Sequence, residues 1–171
     1  MKTIILASGL AWLLAGLASG KTAATAKADL INSKGEPVGN AKLKETPQGV
    51  SLTLQVSNLP PGAHGFHIHT VGKCEPPDFK SAGGHFNPEG KKHGLENPEG
   101  HHAGDLQNLT VDAQGKAKVK LVVTGVTLGE GANSLFHPGG TAIVIHADPD
   151  DMKTDPAGNA GARIACGVIS K

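Results

Sequence analysis

Nine histidines are present, and their spacing is the first chemical signal in the chain. His67-Ile68-His69 lies in an alternating run, where strand geometry turns side chains two apart to one face, so both imidazoles can reach a single metal ion. Such a pair alone is weak evidence. His85, His93, His102 and Asp105 follow within one Gly/Pro-rich stretch, and His146 closes the apolar run Ile143-Val144-Ile145. Six imidazoles and a carboxylate suffice for two metal sites. Imidazole-rich coordination suits copper and zinc, and three histidines with one aspartate resemble a closed tetrahedral zinc set. Taken singly, each of these residues reads more readily as a solvated or packed histidine. At this density, with hardly any other catalytic candidates, that reading fails.

The elements available to position these residues are strands. β-favouring or alternating stretches occur at Ala28–Ile31, Val38–Lys44, Val50–Val56, Gly65–Thr70, Leu106–Val111, Ala117–Val123, Thr141–His146 and Arg163–Ile169. Turn clusters such as Thr46-Pro-Gln-Gly49 and Asp112-Ala-Gln-Gly115 separate them, and no stretch carries a helical period of helix length. The fold class expected is all-β, an eight-stranded sandwich or barrel. Three connections are long, Val71–Gly104, Thr124–Gly140 and Ala147–Ala162, and the first collects the histidines. Thr22–Lys27 is expected to be a frayed start.

A length of 171 residues fits one domain. With 16 Lys+Arg against 15 Asp+Glu, the chain has no charge excess for gripping nucleic acid. The N-terminus reads as an export signal: Lys2, the mostly apolar Ile4–Leu17, then small residues Ala18-Ser19-Gly20. Its apolar run of about 14 residues falls short of the roughly 20 that cross a bilayer. We therefore expect residues 1–20 to be a signal peptide and 21–171 the functional domain, periplasmic or secreted, with no membrane anchor once processed. Cys74 and Cys166 are the only cysteines, and an even count in an exported chain favours one intramolecular disulfide over two inert thiols or a metal pair.

Four segments carry a resemblance. His64-Gly-Phe-His-Ile-His69, Gly84-His-Phe-Asn-Pro88, His102-Ala-Gly-Asp105 and Gly158-Asn-Ala-Gly-Ala-Arg-Ile-Ala-Cys-Gly-Val168 look like the signature segments of the copper/zinc superoxide dismutases, in matching order. The resemblance implies a Greek-key β-barrel with long metal-binding and electrostatic loops. It implies copper held by His67, His69, His85 and His146, and zinc held by His85, His93, His102 and Asp105, one ion of each per subunit. The implied activity is disproportionation of superoxide to O2 and hydrogen peroxide as copper alternates between Cu(II) and Cu(I). Zinc would be structural, and His85 a bridging imidazolate.

The same resemblance gives Asp150 the task of orienting His67 and His93, and Arg163 that of drawing superoxide to copper. His64 matches a non-ligating structural histidine, while His101 and His137 take no role. The stretch from Cys74 to His85 is longer than in the animal cytosolic branch, the loop from His146 to Arg163 is shorter, and Ala157 replaces a threonine. These departures look bacterial. They leave open which lysines assist Arg163, with Lys91, Lys92 and Lys153 as candidates. They also leave open the assembly, for which a homodimer is preferred. Two rival functions compete: a copper and zinc carrier, which has no need of His85, Asp150 and Arg163 together, and a zinc hydrolase, which needs an open coordination position.

Overall fold

A computed structural model describes residues 23–171. Nine strands occur in chain order: β1 (Thr25–Asn32), β2 (Pro37–Thr46), β3 (Gly49–Val56), β4 (Gly62–His64), β5 (Phe66–His69), β6 (Leu109–Val111), β7 (Ala117–Val123), β8 (Ala142–His146) and β9 (Arg163–Val168). A single 3-10 turn, Lys80–Ala82, interrupts the first long loop.

Seven strands form one antiparallel sheet in the order β5-β8-β9-β1-β2-β3-β7, and β4 pairs with β6. Strands β1, β2 and β3 are sequential neighbours, and β9 returns along a distant part of the chain to lie beside β1. That is the Greek-key arrangement.

Period-2 patterning explains the sheet. In β1 to β3 the residues Leu30, Leu43, Leu52 and Leu54 point inward and are buried, while lysines, threonines and serine alternate outward. Each buried leucine contributes about 1.5–3 kcal/mol. Strands β5 and β8 differ because they are covered on both faces. Phe66, Ile68, Ile143 and Ile145 enter the main core. On the other face of β8, Ala142 and Val144 pack with Phe79, Ala82 and Cys166 in a second small core. The Cys74–Cys166 disulfide, closing 92 residues of sequence, ties the first long loop over that face.

Three expectations need correction. Thr25–Lys27 is not frayed: it pairs with Lys42–Lys44 of β2, and Lys27 exchanges two 2.8 Å backbone hydrogen bonds with Ser170. Its small and charged residues hide the strand from a hydrophobicity pattern. The described strands number nine rather than eight, because the short β4 precedes β5. The Leu106–Val111 stretch yields only three strand residues, because its first part is still leaving the loop that holds Asp105. The expected signal peptide lies outside the described residues. No described helix is long and apolar enough to cross a membrane.

Candidate metal centre

Strand β5 presents Phe66 and Ile68 to the core and His67 and His69 to the opposite face, as alternation requires. Its free edge is taken by the long loop. Ile68 N–H donates to Gly104 O (2.9 Å), Phe86 N–H to Ile68 O (2.8 Å) and Thr70 N–H to Gly84 O (2.9 Å). Backbone pairing thereby sets His85 opposite His69, and Asp105 opposite His67. Gly104 permits this threading, since a Cβ there would collide with the Ile68 carbonyl. His146 closes β8 just past a register irregularity between Ile145 and His146.

The imidazoles are dry: His67 and His93 are 0% exposed and His69 is 1% exposed. His67, His69, His85 and His146 can each offer one ligand atom to a group lying within 4.8 Å of one another, and so can His85, His93, His102 and Asp105. Existing hydrogen bonds identify the atoms. His67 Nε2 lies 2.7 Å from Asp150 Oδ2, His69 Nδ1 lies 2.9 Å from Gly83 O, and His146 Nδ1 lies 3.2 Å from Gly161 O. His67 Nδ1 and the Nε2 atoms of His69, His85 and His146 therefore face the first group. Two of those atoms, His67 Nδ1 and His85 Nε2, are buried without any hydrogen-bond partner. Buried polar atoms rarely go unsatisfied, so the pair marks a place for a ligated cation.

The second group centres on Asp105 Oδ1, which lies 2.9 Å from His85 Nδ1, 3.0 Å from His93 Nδ1 and 3.2 Å from His102 Nδ1. His102 Nδ1 and His85 Nδ1 are 3.4 Å apart. Ligands about 2.0–2.1 Å from a tetrahedral zinc ion stand about 3.3 Å from one another. These separations fit that polyhedron with one carboxylate oxygen and three imidazole nitrogens. His85 is common to both groups and offers a different nitrogen to each.

Electrostatics separate the two groups. Burial lowers the pKa of His67, and lowers His69 to about 2, His85 to about 4 and His146 to about 4. Those imidazoles are unprotonated and ready to ligate at neutral pH. His93 behaves oppositely: burial opposes its charge, but the carboxylates of Asp105 and Asp150 outweigh that and raise it to about 9. Burial likewise opposes the charge on Asp105 and Asp150, yet their histidine partners hold both carboxyls well below the usual range.

Asp150, 4% exposed, touches both groups, since its other oxygen, Oδ1, lies 3.0 Å from His93 Nε2. Sequence reasoning missed what fixes Asp150. Asn108 clasps its backbone, donating to Asp150 O (2.9 Å) and accepting from Asp150 N–H (2.8 Å). Asp155 Oδ1 similarly accepts from His93 N–H at 2.7 Å. No short motif signals either residue, because each acts through the backbone of a distant loop.

Arg163 donates to Phe79 O (2.7 Å) and Gly83 O (2.6 Å), so the disulfide-tied loop holds its fork. Its charge acts on both His69 and His146. The candidate lysines are neutralised locally: Lys91 pairs with Glu89 (2.7 Å), Lys92 with Asp155 (3.6 Å) and Lys153 with Glu96 (3.0 Å). His64 sits between the carbonyls of His146 and Pro60, 2.8 Å from each. His101 contacts the His102 carbonyl, and the His137 ring stacks on Phe86.

With this geometry established, comparison with known proteins is decisive. The family profile described as Copper/zinc superoxide dismutase (SODC) matches residues 38–169. The chain belongs to the copper/zinc superoxide dismutase family. It is 60% identical over 144 residues to Cu-Zn superoxide dismutase 1 of Aquifex aeolicus, covering 83% of this chain and 85% of that protein. It is 44% identical over 138 residues to the Cu-Zn superoxide dismutase of Caulobacter vibrioides, covering 79% of each. The crystal structure of a superoxide dismutase-like protein from Bacillus subtilis matches with a TM-score of 0.81 at 42% identity, over 83% of this chain and 96% of that one.

Proposed function

We propose that this chain is an exported copper- and zinc-dependent superoxide dismutase, acting on superoxide as its small-molecule substrate. The observation that carries the proposal is His85, which offers Nε2 to a group of four imidazoles and Nδ1 to a three-histidine, one-aspartate set. In this reading His67, His69, His85 and His146 hold copper, and His85, His93, His102 and Asp105 hold zinc. Bound copper supplies the one-electron exchange that turns one superoxide into O2 and a second into hydrogen peroxide, while zinc supplies fixed charge and geometry.

The chain's own residues do the rest. Arg163, fixed by two carbonyls, keeps a positive fork beside His69 and His146, where it attracts and aligns a small anion. Asp150 holds His67 and His93 in the tautomers whose Nδ1 atoms are free to ligate. His85 Nε2 would carry a proton to the departing peroxide whenever it is not ligating. A zinc hydrolase is disfavoured because protein atoms already fill the tetrahedral set.

Residues 1–20 act as the signal peptide and 21–171 as the dismutase domain, placed in the periplasm or secreted, with a homodimer the expected assembly. The disulfide supports an oxidising compartment. The test is His85→Ala under chelator challenge. Both metals should be lost faster and superoxide turnover should collapse, with the disulfide intact; unchanged metal retention and turnover would overturn the shared-ligand reading.

A further inference from the structure

The formal charge of +1 conceals an uneven distribution. The strand pairings Lys27↔Lys42, Lys42↔Thr53 and Thr53↔Lys120 set three lysines in one row across β1, β2, β3 and β7. All three point outward, and Lys44 and Lys118 flank them on adjacent rows. Asp29 is the only acidic residue among the outward positions of these four strands, and its contact with Lys27 (3.7 Å) is the face's only ion pair among the described residues. Lys171 joins the lysines lining a shallow trough of about 610 Å³ on this face. Like charges directly opposite across a sheet destabilise it, and the metal centre lies at the β5/β8 end of the strand order. Neither fold nor catalysis accounts for opposing Lys27 to Lys42.

We propose that this lysine face docks the protein on an anionic lipid bilayer. Strands about 4.8 Å apart and outward positions about 6.8 Å apart along each strand spread the charges over two dimensions. Such an array matches a plane of headgroups better than a single line of phosphates. The outward positions hold no aromatic residue to stack on bases and no arginine to fork a phosphate; lysine serves as a point charge toward a diffuse surface. A second copy cannot seat here, because two such faces repel. Docking of this kind is peripheral and reversible, independent of the metal reading, and requires no anchor.

The experiment is co-sedimentation of the processed, metal-loaded chain, residues 21–171, with phosphatidylglycerol vesicles and with phosphatidylcholine vesicles. It is repeated with the triple variant Lys42→Gln, Lys44→Gln, Lys120→Gln. The wild type should prefer phosphatidylglycerol and lose that preference as salt rises. At roughly fivefold per lysine near a charged surface, the variant should bind phosphatidylglycerol about a hundredfold more weakly with superoxide turnover unchanged. Equal wild-type binding to both vesicles, or a variant that keeps the preference, overturns the proposal. Tighter lysine-dependent binding to duplex DNA than to phosphatidylglycerol at the same salt also overturns it, and assigns the face to a linear polyanion.

Discussion

Replacing Asp150 by asparagine asks whether one carboxylate orients a ligand of each metal. Asp150 Oδ1 receives Met152 N–H at 2.6 Å and lies 3.0 Å from His93 Nε2, whereas Oδ2 lies 2.7 Å from His67 Nε2 and also 3.0 Å from His93 Nε2. An asparagine keeps its carbonyl oxygen where two donors already point. Its amide NH2 then takes the Oδ2 position and meets His67 Nε2–H donor to donor. The imidazole relieves this by moving its proton to Nδ1, the nitrogen proposed for copper. A buried hydrogen bond to a charged group is worth about 1.5–3 kcal/mol, or about 10- to 150-fold in affinity at about 1.4 kcal/mol per tenfold. Copper affinity should fall by that factor and zinc affinity by a smaller one, because His93 Nε2 keeps the Oδ1 acceptor, whereas Asp150→Ala should weaken both. Competition against chelators of known affinity reads each metal separately. Equal losses of copper and zinc in the asparagine variant, or none, would refute the tautomer argument.

Three further outcomes follow from the same geometry. Gly158, at φ 62°, has room only for hydrogen: a Cβ would collide with Asp150 Oδ1 and come within 2.7 Å of His93 Nε2. Gly158→Ala should therefore cost at least tenfold in zinc affinity by chelator competition, and an unchanged affinity would contradict the packing. In the metal-free protein His93, raised to about 9, stabilises the fold fully below its unfolded pKa near 6.5, and that contribution is lost as pH rises through about 9. Zinc must displace this proton, so zinc affinity should climb with pH up to about 9 with release of about one proton at pH 7 by calorimetry in two buffers. Copper added to the zinc-free protein meets imidazoles already neutral, so its affinity should stay flat between pH 5 and 8. Finally, the disulfide closes 92 residues, and paired Cys74→Ala and Cys166→Ala substitutions should lower unfolding stability by about 4–5 kcal/mol. Denaturant unfolding at fixed metal content checks this, and a loss under about 1 kcal/mol would remove the loop-closure account.

Metal chemistry restricts residue types severely, which is why His67, His69, His85, His93, His102, Asp105 and His146 stand out of the sequence. The strands that carry His67, His69 and His146 are visible as alternating or apolar runs. Legibility ends where backbone does the positioning. Residues 84–86 and 104–105 form no named strand, yet their pairing along β5 is what brings His85 and Asp105 beside His67 and His69. Asn108 acts on a loop 42 positions away through main-chain atoms, and the carbonyls of Phe79 and Gly83 have no side-chain signature at all. Only the start of the first strand is hidden, because Thr25, Ala26 and Lys27 are small or charged. The lysine face was hidden for another reason: summing charge over the chain averages away a sheet register that sets Lys27 beside Lys42.

Superoxide decay after pulse radiolysis, with copper- and zinc-loaded protein at substoichiometric concentration, tests the central claim most directly. Wild-type protein should turn over many equivalents with a rate constant of about 10⁸–10⁹ M⁻¹s⁻¹, slowing as salt is raised. Arg163→Gln should be slower and less salt-sensitive with both metals still bound. Decay that stops after one equivalent per copper would make the protein a metal carrier, and an Arg163→Gln rate equal to wild type would contradict the steering role.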